Sequence, residues 1–150
     1  MTTPSDVVAA RVREVRGKRN LTVAQLAARC ADLGAPDLTT QALYKLEQRR
    51  PGKLRPRPVT VDELLALAAA LNVAPVHLLV PPDDFRKSYQ VTGTISERAA
   101  YVRHWIRGVI PLRSADPREY FAEVPQTEVD WQNVGVSWPV PPDYDQEEDR

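Results

Sequence analysis

Leu21-Thr-Val-Ala-Gln-Leu-Ala-Ala28, Thr39-Thr-Gln-Ala-Leu-Tyr-Lys-Leu-Glu47 and Val61-Asp-Glu-Leu-Leu-Ala-Leu-Ala-Ala-Ala-Leu-Asn-Val73 are the blocks, in that order, whose reading decides the fold. Each begins like a helix. In the first, Thr22 and Gln25 have the spacing of a capping box, hydroxyl and amide each satisfying the other's orphan backbone N–H. Val23, Leu26, Ala27 and Cys30 then continue one apolar stripe. In the second block Thr39 reads as the N-cap, with Ala42, Leu43 and Leu46 facing inward. That leaves Thr40, Gln41, Tyr44 and Lys45 on the outer face. In the third, Thr60 and Glu63 make another capping box, Leu64, Leu65, Ala68 and Leu71 supply the inner face, and Asn72 is the stop.

Outward from these blocks the same grammar holds. Ser5 and Asp6 offer N-cap oxygens to a first helix in which Val8, Val12 and Val15 align, with Arg11, Arg13, Arg16 and Lys18 on other faces. Gly34-Ala-Pro36-Asp37 breaks the chain between the second and third helices. Residues 48–58 form a basic loop that three prolines and a glycine keep from being helical. Pro75 starts a short fifth helix through His77, Leu78 and Leu79, and Pro81-Pro82-Asp83-Asp84 closes the domain. Five short helices and no convincing strand in 80 residues predict an all-α domain.

Taken together, the three blocks resemble the Cro/repressor-like helix-turn-helix family, also called the xenobiotic-response-element family, over residues 7–80. The resemblance implies a lambda-repressor-like five-helix domain that binds double-stranded DNA, with the helix at 39–47 in the major groove. Its base readers would then be Thr40, Gln41, Tyr44 and Lys45. The chemistry fits, since a Gln amide pairs with adenine N6 and N7, Lys donates to guanine, and Thr offers thymine a methyl. Phosphate contacts would come from Thr22, Gln25, Thr39, Arg49, Arg50, Lys53, Arg55 and Arg57, the family running this loop along the sugar-phosphate backbone. The plainer reading of helix 39–47 is a solvated polar face on an ordinary bundle. Six basic residues against one acid within 45–57 favour phosphate. Two features depart from the family pattern. Val23 stands where the family commonly has Gln, and the 31–38 connection is longer than the usual tight turn. Either helix two is extended or the loop bulges toward DNA.

Composition bounds the rest. The 150 residues balance twenty basic against twenty acidic side chains, yet residues 1–80 hold twelve basic and seven acidic while 81–150 hold eight and thirteen. A basic half joined to an acidic half suits a polyanion-binding domain with an oppositely charged appendage. No apolar run spans a bilayer and no signal core opens the chain, so a cytoplasmic, nucleoid-associated protein is expected, with no membrane partner. Cys30, alone of its kind, reads as a small buried hydrophobe. His77 and His104 lack companions at metal-ligand spacing, so neither metal nor cofactor is expected. No GxSxG, HExxH or glycine-rich phosphate signature appears, so the chain is not expected to be an enzyme.

Three divisions follow: a helix-turn-helix domain at 1–82, a linker and accessory helix at 83–112, and an acidic, proline-containing tail at 113–150 that is extended or partly disordered. The accessory helix is expected over 96–107. It either folds back as a sixth helix or presents Val102, Trp105 and Ile106 to a homodimer or protein partner. In the tail, Trp131 and Trp138 read as docking points, and 143–149 hold five acids in seven residues. The functional expectation is a bacterial or phage-type transcriptional regulator, a repressor. The alternative is a protein–protein interaction module or antitoxin of the same fold, acting through residues 86–150.

Overall fold

A computed structural model describes residues 2–49, 57–82, 86–112 and 115–125. Hydroxyl caps start the first four helices. The first, α1 (Pro4–Lys18), is capped by Thr3, which exchanges hydrogen bonds with Asp6, so Ser5 and Asp6 lie inside the helix instead of capping it. Pro4 explains the displacement, because its missing N–H suits the first helical position. The expected capping boxes at Thr22/Gln25 and Thr60/Glu63 open α2 (Val23–Asp32) and α4 (Val61–Ala70). Thr39 caps α3 (Thr40–Glu47), its Oγ1 accepting from the Ala42 N–H at 3.2 Å.

Left-handed residues stop three of these helices: Asn20 after α1, Gly34 after α2 and Asn72 after α4. In each, the next residue donates back five positions, as Ala35 N–H does to the Cys30 carbonyl at 2.9 Å, which is the Schellman closure. The 31–38 connection therefore resolves into a slightly longer α2 and a turn whose last residue, Leu38, is buried.

Val8, Val12 and Val15 of α1, Val23, Leu26 and Cys30 of α2, Leu43 of α3, Leu67 and Leu71 at α4, and Leu78 of α5 (Pro75–Leu79) form one core. Two inward assignments change. Leu67 takes the place expected of Leu65, which is 51% exposed, because α4 is rotated so that Val61, Leu65 and Ala69 face out. Arg11, expected on a polar face, is buried, with Nε on the His77 carbonyl at 3.1 Å and Nη1 on Glu14.

The chain does not close at Pro82. The first of its two units runs from Met1 to Leu112 and the second from Arg113 to Arg150. Within the first unit, β1 (Ser88–Gln90) pairs antiparallel with β2 (Ser96–Arg98), Tyr89 opposite Glu97. Among the described residues the chain is mostly helical, in keeping with the all-α expectation, and adds one small two-stranded sheet that the expectation lacked. The helix expected from residue 96 begins only at Ala99, because residues 96–98 are spent on β2; α6 spans Ala99–Ile106 and Gly108 ends it. A second core of Val80, Tyr89, Ala99 and Val102 takes Val7, Leu79, Trp105 and Ile106 against it. Thus α6 folds back on its own chain, and Val102, fully buried, is not offered to a partner.

In the second unit, residues expected to be extended form α7 (Pro117–Ala122), capped by Asp116. Trp131, Trp138 and the 143–149 acids lie outside the described residues. No described helix is long and apolar enough to cross a membrane.

Candidate nucleic-acid interface

The outer face of α3 is the feature around which the site is built. Leu43, fully buried, and the partly buried Leu46 pin the helix to the core. Gln41, Tyr44 and Lys45 consequently project from it, all exposed, with Tyr44 at 52%. Thr40 is half-buried at the helix start. Lys45 has no ion-pair partner among the described residues.

Two ion pairs fix this helix at its C-terminal end. Arg16 on α1 grips the last residue, Glu47, with two parallel bonds, Nε to Oε1 at 2.6 Å and Nη2 to Oε2 at 2.8 Å. Its Nη1 donates to the Leu21 carbonyl at 2.6 Å, so one guanidinium ties α3 to the α1–α2 turn. Just past α3, Arg49 Nε donates to Asp6 Oδ1 at 2.5 Å and its Nη1 to the Arg57 carbonyl at 2.7 Å.

A groove of about 490 Å³ lies beside α3. Thr39, Gln41, Lys45 and Arg49 supply its polar lining from α3 and its ends, Leu38, Ala42 and Leu46 add apolar surface, and Arg57, Pro58, Val59 and Glu63 come from the approach to α4 and its first turn. Arg57 is largely exposed and its guanidinium meets the Glu63 carboxylate. That contact holds the Glu63 carboxyl below its usual range, against the opposing effect of its partial burial. Arg50, Lys53 and Arg55 lie outside the described residues.

The hydroxyl and amide expectations at the helix starts are met by local bonds. Thr22 Oγ1 accepts from Gln25 N–H at 3.1 Å, and Gln25 Oε1 from Thr22 N–H at 2.8 Å, both at the surface. Thr39, also exposed, is a cap that opens onto the groove. So the structure gathers Thr39, Gln41, Lys45, Arg49 and Arg57 around one groove, and places Val102, Trp105 and Ile106 in or against the second core.

Sequence reasoning missed Asp6, Arg16, Glu47 and Glu63 as parts of this region. Glu63 and Asp6 carried local signals as capping-box carboxylates, which say nothing of their arginine partners. The pairings of Glu47 and Asp6 join residues 31 and 43 apart, beyond any helical period. Cys30 is buried, which pushes its thiol above the usual range and away from thiolate chemistry. Among the described residues no group of three or more His, Cys, Asp or Glu is placed to hold a metal. Comparison of the chain with known protein families, with curated proteins and with solved structures finds no match.

Proposed function

We propose that this protein is a sequence-specific DNA-binding transcriptional regulator, a repressor, that inserts α3 into the major groove of double-stranded DNA. The observation that carries the reading is the outer face of α3. Gln41, Tyr44 and Lys45 stand exposed on a helix whose inner side and C-terminal end are locked to the core. Side chains that read base edges need this combination: solvent-facing donors and acceptors on a backbone that does not yield.

Phosphate neutralisation falls to Arg57, and to Arg50, Lys53 and Arg55 as the sequence supplies them. The Arg57–Glu63 pair is no obstacle, because Arg57 is 68% exposed and a phosphate can replace the carboxylate, which keeps its bond from the Thr60 N–H. Blocking polymerase requires nothing beyond occupancy, which is why repression is the simpler role. The rival, a protein-docking module working through α6, finds less support, since Val102 is fully buried and Trp105 and Ile106 pack against the second core.

Selection of genomic duplex fragments by the purified protein near physiological salt tests the reading. An enriched motif is expected, and the spacing of its half-sites would give the geometry of a dimer on DNA. Retention of fragments without any enriched motif would overturn sequence-specific recognition.

A further inference from the structure

We propose that Arg49, which charge alone would group with the phosphate ligands, is a positioning residue. With Asp6 it forms a clasp that holds the exit of α3 and the approach to α4 on the first turn of α1. The inference rests on the DNA-binding reading above.

The geometry is that of an interior joint. The Arg49 and Asp6 side chains are only 7% and 9% exposed, and Nε meets Oδ1 at 2.5 Å. The other carboxylate oxygen, Oδ2, is already occupied by the Thr3 N–H and hydroxyl, each at 2.8 Å. Across the guanidinium, Nη1 holds the Arg57 carbonyl at 2.7 Å. Next to it the Val59 N–H donates to Ser5 Oγ at 3.1 Å. One carboxylate therefore joins the cap of α1, the end of α3 and the segment leading into α4.

A phosphate ligand must be able to swing out. For Arg49 that would break a charge-assisted pair and leave the Asp6 carboxylate enclosed without its cation, which is costly. Arg57 faces a smaller penalty, since its own side chain is 68% exposed and Glu63, at 19%, keeps the bond from the Thr60 N–H at 2.9 Å when the guanidinium leaves. The two arginines of the groove thus divide the work: Arg57 meets phosphate, and Arg49 fixes the backbone from which Arg57 projects.

The sign of one substitution separates the two roles. If Arg49 were a phosphate ligand, Asp6→Asn would release it and remove a negative charge, and DNA binding would tighten. Under the clasp, Asp6→Asn weakens binding. The experiment titrates a random-sequence duplex pool with the full chain over a salt series, at a temperature where every variant is folded by circular dichroism. Amide exchange at Val59 is followed in parallel. Asp6→Asn and Arg49→Met are expected to lose affinity several-fold, to keep the wild-type salt slope and to speed exchange at Val59. Arg57→Ala, by contrast, should flatten the slope by about one unit, as loss of one phosphate contact does. Arg49→Lys guards against a trivial folding defect. It keeps the charge but cannot span both Asp6 and the Arg57 carbonyl, so it too should bind less tightly.

Tighter binding by Asp6→Asn, or a slope reduced by about one in Arg49→Met, would overturn the clasp. A wild-type chain that binds no duplex would sink the DNA reading alone, provided Val59 exchange still rises in both variants. Unchanged exchange at Val59 removes the clasp whatever the DNA result.

Discussion

Glu47 ends α3 with its carboxylate folded back on Arg16, and its side chain is nearly enclosed. An enclosed pair is hard to credit with net stability, because desolvation offsets much of the attraction; removing one partner is another matter, since the survivor stays buried and uncompensated. Glu47→Gln should therefore lower the unfolding free energy by about 3 kcal/mol, read as an earlier denaturant midpoint. Gln41→Ala behaves oppositely. Exposed and outside the core, it should leave stability within about 0.5 kcal/mol. It should also cost about 1–3 kcal/mol of discrimination at one base pair of the selected motif. A Gln41→Ala variant with an unchanged motif would remove that residue from the readers. The two residues also differ in how far the sequence revealed them. The outward direction of Gln41 follows from a period of 3.6 residues. Nothing in that period joins Glu47 to Arg16, because the contact is made by the fold and not by the helix that carries either residue.

Helix ends were legible because caps act over three residues. Thr22, Thr39 and Thr60 each accept from the N–H three positions on. Faces are less certain where a helix is apolar all round, and α4 is such a helix: with Leu or Ala at 64–70, the period alone cannot choose its inner side. The structure chooses Leu67 and leaves Leu65 out. Leu67→Ala should accordingly cost about 2–5 kcal/mol through the cavity it leaves, while Leu65→Glu should change stability by no more than about 0.5 kcal/mol. Thermal melts of both variants would decide; a large loss in Leu65→Glu would mean that this face is covered. The hairpin escaped for a different reason. Its strands have three residues each, too short for a pattern to stand out. A weak signal was present, since Tyr89 and Val91 alternate with polar residues ahead of the Thr92-Gly93-Thr94 turn.

Across the first unit, the hairpin and α6 are joined to the five-helix bundle by the second core and by a cationic cluster that makes this junction sensitive to acid. Arg103 of α6 donates from Nη1 to the Val80 carbonyl at 2.6 Å, and its Nη2 lies 3.1 Å from His77 Nδ1. A guanidinium only donates, so His77 must accept at Nδ1 and carry its proton on Nε2 as a neutral ring. Positive charge reaches it from α1 and from α6: Arg11, paired with Glu14, on the first and Arg103 and Arg107 on the second. Burial first, then these arginines, hold His77 below its ordinary value of 6.5; burial, Arg107 and Arg103 act likewise on His104. With a depressed folded value, the unfolded chain takes up the proton first. The stability these rings contribute is therefore complete above pH 6.5 and is lost as pH falls through their folded values. The lowered carboxyls of Asp6, Glu14 and Glu63 have the same sign but a separate window, opening only near their ordinary values of 3.8 and 4.5. Unfolding measured at about pH 7.5 and about pH 5.5 consequently isolates the histidines, and stability should be lower at the acid end. His77→Gln, whose amide oxygen can accept the same bond from Arg103, should remove much of that difference and leave the share of His104. Stability that rises on acidification, or a pH dependence untouched by His77→Gln, would mean that the ring is not the proton-sensitive contact between bundle and α6.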